Sequence, residues 1–123
     1  MPTSYRELRI WKKGYDLLLE VYEITSHYPN GEKFGLVSDT RRSANSIIAN
    51  IAESHGRYYF LDKIRVLYIA RGEVEEVRSH LEVAFGVNYL TQEVYKKLDL
   101  EYQGLLIGLN EYINSIFKEK NKT

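Results

Sequence analysis

The chain has 123 residues, 44% of them hydrophobic, and only two prolines; that is one domain with a buried core, and it excludes a disordered or fibrous chain. Its 17 basic and 17 acidic residues cancel and it has no cysteine, so disulfides, thiolate metal sites and cysteine catalysis are excluded, as is a strongly basic nucleic-acid-binding rod. No apolar run reaches the length of a membrane span, and Met1-Pro2-Thr3-Ser4-Tyr5-Arg6 lacks the apolar stretch of a signal peptide, so a cytoplasmic location without a membrane partner is expected.

Four helical segments follow in chain order. The first, over about residues 5–28, places Leu8, Trp11, Tyr15, Leu18, Tyr22 and Thr25 at alternating spacings of three and four, a seam suited to a bundle. Ser4-Tyr5-Arg6-Glu7 matches a capping box that would start it. Pro29 stops it, because the residue before proline avoids the helical region, and Asn30-Gly31 makes the turn. The second segment, about 32–55, turns Leu36, Val37, Ala44, Ile47, Ile48, Ile51 and Ala52 inward and stops at Gly56. The third, about 59–90, buries Phe60, Ile64, Leu67, Tyr68, Val74, Val77, Leu81, Ala84 and Phe85. Gly72 and Gly86 cost it about 1 kcal/mol each in helix propensity, which close approach of a neighbouring helix is expected to offset.

Thr91 caps the fourth segment, about 91–118, with Glu93 favourable in its first turn. Val94, Tyr95, Leu98, Leu105, Leu106, Leu109, Tyr112, Ile113, Ile116 and Phe117 repeat there at helical spacing. Gly104-x-x-x-Gly108 reads as a tight contact between water-soluble helices, since the segment is too charged for a membrane. The tail from Lys118 is expected to fray. Charge is balanced locally too: residues 8–27 and 32–55 each carry three basic and three acidic side chains. The pattern predicts an all-α fold, one antiparallel up-down four-helix bundle over residues 1–123, about 30–45 Å long.

Enzymatic chemistry finds little purchase. The residues three before His27, His55 and His80 are Ile24, Ala52 and Val77, so the Glu-x-x-His motif of di-iron bundles is missing. Glu23/His27 and Glu76/His80 stand four apart and could grip zinc, but no second histidine lies nearby in sequence. There is no Gly-x-Ser-x-Gly elbow or Gly-rich phosphate loop, and the adjacent Ser54 and His55 point about 100° apart on a helix. Glu73, Glu75 and Glu76 could supply a carboxylate pair for acid–base work; a solvated acidic face is the plainer account. No catalytic residue, metal ligand or cofactor is expected, and a small metal-dependent enzyme is the rival from another class.

Arg42, Ser46, Asn50, Glu53 and Arg57 recur at spacings of four, four, three and four and form one polar stripe along the second helix. The expectation is an interhelical polar network of Arg42, Ser46, Asn50 and Glu53, with Glu76 balancing Arg42 and with Asn50 and Glu53 largely buried. A recognition surface is the alternative. The eleven tyrosines suit half-buried positions and interfaces; self-association is their expected use, and stacking on unpaired bases the sharper alternative.

Leu8-x-x-Trp11, Pro29-x-x-Glu32, Phe34-Gly35-Leu36, Arg41-Arg42, Ser46-Ile47, Asn50-Ile51-Ala52-Glu53, Gly56-Arg57, Tyr68-Ile69-Ala70, Gly72 and Glu76 resemble the bacterial four-helix-bundle proteins encoded within intervening sequences of large-subunit ribosomal RNA genes. The chain departs from that pattern at Ile48, Ser54 and Glu73, where proline, glycine and serine are usual. The resemblance implies a homo-oligomeric ring, a pentamer, and kinship with the accessory protein of diversity-generating retroelements, which partners nucleic acid. The expected function is therefore a non-enzymatic oligomeric bundle acting as an RNA-associated accessory or adaptor. The alternative is a structural assembly module with a protein partner. Candidate RNA-binding residues are Arg41, Arg42, Arg57, Lys63 and Arg71, with Lys12 and Lys13 on the first helix.

Overall fold

The computed structural model describes residues 2–122. Four α-helices carry the fold: α1 (Arg9–Thr25), α2 (Leu36–Gly56), α3 (Phe60–Gly86) and α4 (Gln92–Lys122), with short 3-10 helices at Tyr5–Glu7 and Asn30–Glu32. The described residues contain no strand. Each helix packs on its neighbours in sequence, α4 closes against α1, and the diagonal pairs stay apart. This is the antiparallel four-helix bundle, with α2 against α3 the most extensive contact. At 1.5 Å per residue the 31-residue α4 is about 47 Å long. None of these helices is long and apolar enough to cross a membrane.

The helix ends differ from expectation for identifiable reasons. Ser4 accepts a hydrogen bond from the Arg6 amide, but it caps only the first 3-10 turn. Leu8 is extended (φ −73°, ψ 128°), so α1 starts at Arg9. Its end falls at Thr25, three residues earlier than expected, where Thr25 and Ser26 hydroxyls back-bond to the Val21 and Glu23 carbonyls. At the start of α2, Glu32 accepts from the Leu36 amide at 3.4 Å and from the Tyr89 hydroxyl at 2.8 Å, so one carboxylate ties the α1–α2 connection to the α3–α4 corner. Asn88 sits at φ 68°, and the Tyr89 amide bonds back to the Ala84 carbonyl at 2.8 Å. That left-handed cap ends α3 at Gly86 rather than at Leu90. Thr91 caps α4 as expected, through the Val94 amide at 3.2 Å. The tail is helical to Lys122 rather than frayed.

One continuous core runs through the bundle, centred on Leu17, Val21, Ile47, Ile51, Leu67, Leu81 and Leu105. On α1 the buried seam is Ile10, Gly14, Leu17, Leu18, Val21 and Thr25. Tyr15 and Tyr22 are instead 41% and 45% exposed, so the expected heptad seam is rotated by about one residue. Gly14 makes the rotation possible: a Cβ there would stand 2.6 Å from Ile48 Cγ2. It is the close-approach glycine of the α1–α2 crossing. Gly72 and Gly86 face open space, contrary to expectation, and of Gly104 and Gly108 only the latter meets a neighbour, Ile10 at 3.1 Å.

Candidate nucleic-acid interface

Among the described residues, the polar stripe on α2 reaches another helix only through Arg42. This residue lies in the N-terminal half of α2, and its Nη2 donates to both Glu76 oxygens at 2.9 and 3.0 Å on α3, with Glu73 3.7 Å away. Farther along, Asn50 donates to the Ser46 carbonyl and hydroxyl at 2.8 and 3.1 Å, one turn back on its own helix. Glu53 is exposed and pairs with Arg57, the C-cap residue of the same helix, at 2.9 Å. The expected burial of Asn50 and Glu53 across helices is therefore incorrect. A spacing of four lets such side chains satisfy one another on a single helix. Arg78 on α3 is spent on α4 and on its own helix: its Nε donates to Asp99 at 2.8 Å and its Nη1 to Glu75 at 2.9 Å. Those bonds to Asp99 and Glu75 hold Arg78 firmly charged. Arg78 in turn keeps Asp99 below the usual aspartate range.

The Arg42 junction holds a pair of carboxyl groups whose titrations are driven apart. Burial first, and then the neighbouring Glu76, push Glu73 above the usual glutamate range. Glu76 is held below it, first by hydrogen bonding with Glu73 and then by Arg42. Split carboxyls can mark acid–base chemistry. Here Arg42 hydrogen-bonds Glu76 and approaches Glu73 at 3.7 Å at a helix seam. Among the described residues no group of three or more histidine or carboxylate side chains is placed to hold a metal ion.

The five basic candidates do not converge. Arg41 near the start of α2 and Arg57, the residue that caps its C-terminus, are 16 residues apart, which is about 24 Å along the axis. Arg42 and Arg57 are neutralised by the acids just named. Lys63 donates to the Ser54 and His55 carbonyls, both at 3.2 Å, and so closes the C-terminus of α2. Burial there lowers its pKa. Arg71 lies 5.5 Å from the Tyr68 ring centroid, on the α3 side of a separate groove. Lys12 is exposed on α1, and Lys13 approaches Glu101 at 3.9 Å.

Arg41 is placed differently. Its Nε donates to Thr25 Oγ1 at 2.9 Å and its Nη2 to the Tyr22 carbonyl at 3.4 Å. The guanidinium sits 4.5 Å from the Tyr22 ring centroid, within cation–π range. It opens onto a groove of about 420 Å³ that also holds Lys33, Phe34, Ser38 and Asn45. Phe34 is 89% exposed, with the Lys33 ammonium 5.5 Å from its ring centroid. Among the described residues the groove lining carries three cations and no carboxylate. Neither Lys33 nor Phe34 is among the binding candidates offered by the sequence, where Phe34 enters only through the Phe34-Gly35-Leu36 motif. The available signal is an aromatic flanked by lysine and glycine in a short connection, where no core can claim it.

The comparisons with known proteins agree with this architecture. The family model described as "23S rRNA-intervening sequence protein" matches residues 6–111. Among solved structures, a protein of unknown function from the S23 ribosomal protein family of Bacteroides thetaiotaomicron VPI-5482 is similar, with 25% identity and a TM-score of 0.79. That alignment covers 85% of this chain and 95% of the other. No curated protein matches. Since the family match spans most of the length, from before α1 into α4, the chain belongs to the 23S rRNA-intervening sequence protein family.

Proposed function

We propose that this protein is a non-enzymatic homo-oligomeric bundle that acts in the cytoplasm as an RNA-associated accessory or adaptor factor. The observation that carries the RNA half is the pair Lys33 and Arg41. Both lack a carboxylate partner among the described residues and both sit against aromatic rings in one groove. The family description points the same way. Net neutrality does not oppose it: among the described residues Lys13, Arg42, Arg57, Arg78, Lys97 and Lys122 are paired with carboxylates, whereas Lys33 and Arg41 share a groove lined by no carboxylate.

Self-association is supported by apolar side chains on the outer faces of three helices: Tyr15 and Leu19 on α1, Tyr68 and Ile69 on α3, Leu100 and Ile107 on α4. Exposed apolar area spread over several faces favours contact with further copies. The pentameric ring and the kinship with retroelement accessory proteins rest on the sequence resemblance. Five copies of one weak groove would gain avidity from a single RNA.

Fluorescence anisotropy with labelled RNA tests the proposal. Binding should be modest, largely indifferent to sequence, and should fall steeply between about 50 and 200 mM salt through counterion release. Arg41→Glu should abolish it without dissociating the assembly. Failure to bind RNA at low salt would leave a structural module with a protein partner, for which the exposed Tyr58, Tyr59 and Leu61 at the α2–α3 turn offer a surface. Stoichiometric metal in untagged protein would instead revive the metal-dependent enzyme.

A further inference from the structure

Building on that RNA-associated reading, we infer that the groove at the α1–α2 connection binds unpaired nucleotides, so that the RNA this protein takes is single-stranded rather than duplex. Phe34 presents nearly its whole ring to solvent, in a chain that otherwise tucks its phenylalanines at least partly against the core or against tyrosine. A free ring face is a platform on which any base can stack. Bases within a duplex are already stacked on each other and cannot reach such a ring, and the A-form major groove is too narrow to admit it.

The rest of the groove supplies what a nucleotide needs besides its base. Arg41 is oriented by its bonds to Thr25 and Tyr22 and by the Tyr22 ring beneath it. Its guanidinium plane is a second stacking surface, and its remaining N–H groups can reach a phosphate. The Lys33 ammonium beside Phe34 is a mobile point charge for a neighbouring phosphate. The Ser38 hydroxyl and the Asn45 amide on the wall can hydrogen-bond a base edge or a ribose 2′-hydroxyl. Arg42 contributes field rather than direct binding, because Glu76 and Glu73 hold it. Recognition by stacking and point charge gives little sequence preference.

The test uses the intact assembled protein with two labelled probes, an oligouridine strand and a hairpin duplex of similar charge. The strand should bind at least about tenfold more tightly than the hairpin. Phe34→Ala should weaken strand binding by roughly 5- to 160-fold, the range for losing one base–aromatic stack, while leaving the salt slope and the assembly mass unchanged. Phe34→Trp should restore binding. Lys33→Gln should lower the salt slope by about 0.7, the single-strand value for one neutralised phosphate. Equal binding of both probes, unaffected by Phe34→Ala, would overturn the inference while leaving RNA association standing at another surface. No binding of either probe would remove both. Dissociation of the assembly in Phe34→Ala would make Phe34 a subunit contact and likewise overturn the inference.

Discussion

Gly14→Ala is the most direct probe of how the helices approach one another. The added methyl would stand 2.6 Å from Ile48 Cγ2, 3.7 Å from Leu105 Cδ2 and 4.0 Å from Ile47 Cγ2. Optimal carbon–carbon separation is about 3.5–4.0 Å, so the first distance must open by about an ångström while the other two are already comfortable. Ile48 is buried, 7% exposed, and a β-branched side chain on a helix has essentially one χ1 rotamer. It cannot swing aside, and α1 and α2 must separate instead. Such overpacking costs about 1–3 kcal/mol, against about 1 kcal/mol returned by replacing glycine in a helix. The net effect is a destabilisation of about 0–2 kcal/mol. Gly72→Ala makes the same chemical change where nothing lies within 4 Å, and should gain up to about 1 kcal/mol. The two variants should therefore differ by about 1–3 kcal/mol. For a domain of this size that is a gap of roughly 4–12 °C in thermal midpoint, measured at one protein concentration. If Gly14→Ala rose as Gly72→Ala does, the α1–α2 crossing would not run through Gly14 and the rotated α1 seam would be wrong.

Further outcomes follow from side-chain placement. Ile51→Asp should unfold the protein, because Ile51 is fully buried and an unpaired charge cannot be accommodated there; a folded variant by circular dichroism would misplace the α2 face. Glu53→Ala should shift the urea midpoint by no more than the equivalent of about 0.5 kcal/mol, since its ion pair is exposed. Arg78→Ala should cost about 1–3 kcal/mol by stranding the half-buried Asp99, and the reverse ranking would contradict the assignment of polar networks. The folded state raises the Glu73 pKa, so it binds that proton more tightly than the unfolded chain does. Its stabilising contribution is full below the unfolded value and lost as pH rises through the folded one. Glu73→Gln, permanently neutral, should then raise the midpoint near pH 7 and converge on the parent near about pH 4; identical midpoints at both would refute the buried, charge-crowded placement.

The number and order of helices are legible in the sequence because apolar residues recur at helical spacing and because Thr91 acts through local chemistry, whereas α1 stops at Thr25, before Pro29 can act. What misleads is the identity of the seam on α1. Trp11, Tyr15 and Tyr22 weigh as hydrophobic in any periodicity, yet their polar edges tolerate the surface. Gly14, the residue that sets the real seam, has no side chain to register. Tyr102 escapes notice for the opposite reason: it is fully buried although Glu101 and Gln103 flank it. The α2 stripe shows that Arg42, Ser46, Asn50, Glu53 and Arg57 share a side, but not that most satisfy one another along it. Only the three-dimensional fold brings Glu73 to Arg42 alongside Glu76. The exposure of Phe34 in one groove with Lys33 and Arg41 is likewise hidden, because it depends on how the α1–α2 connection is placed beside the start of α2.

Size-exclusion chromatography with light scattering, run on untagged protein with and without a single-stranded RNA, measures assembly and RNA association together. The prediction is a mass that is a multiple of the 14.4 kDa chain, with RNA co-eluting at low salt and released as salt is raised. A monomer of 14.4 kDa, or an assembly that never carries RNA at any salt, would contradict the proposal of an oligomeric RNA-associated bundle.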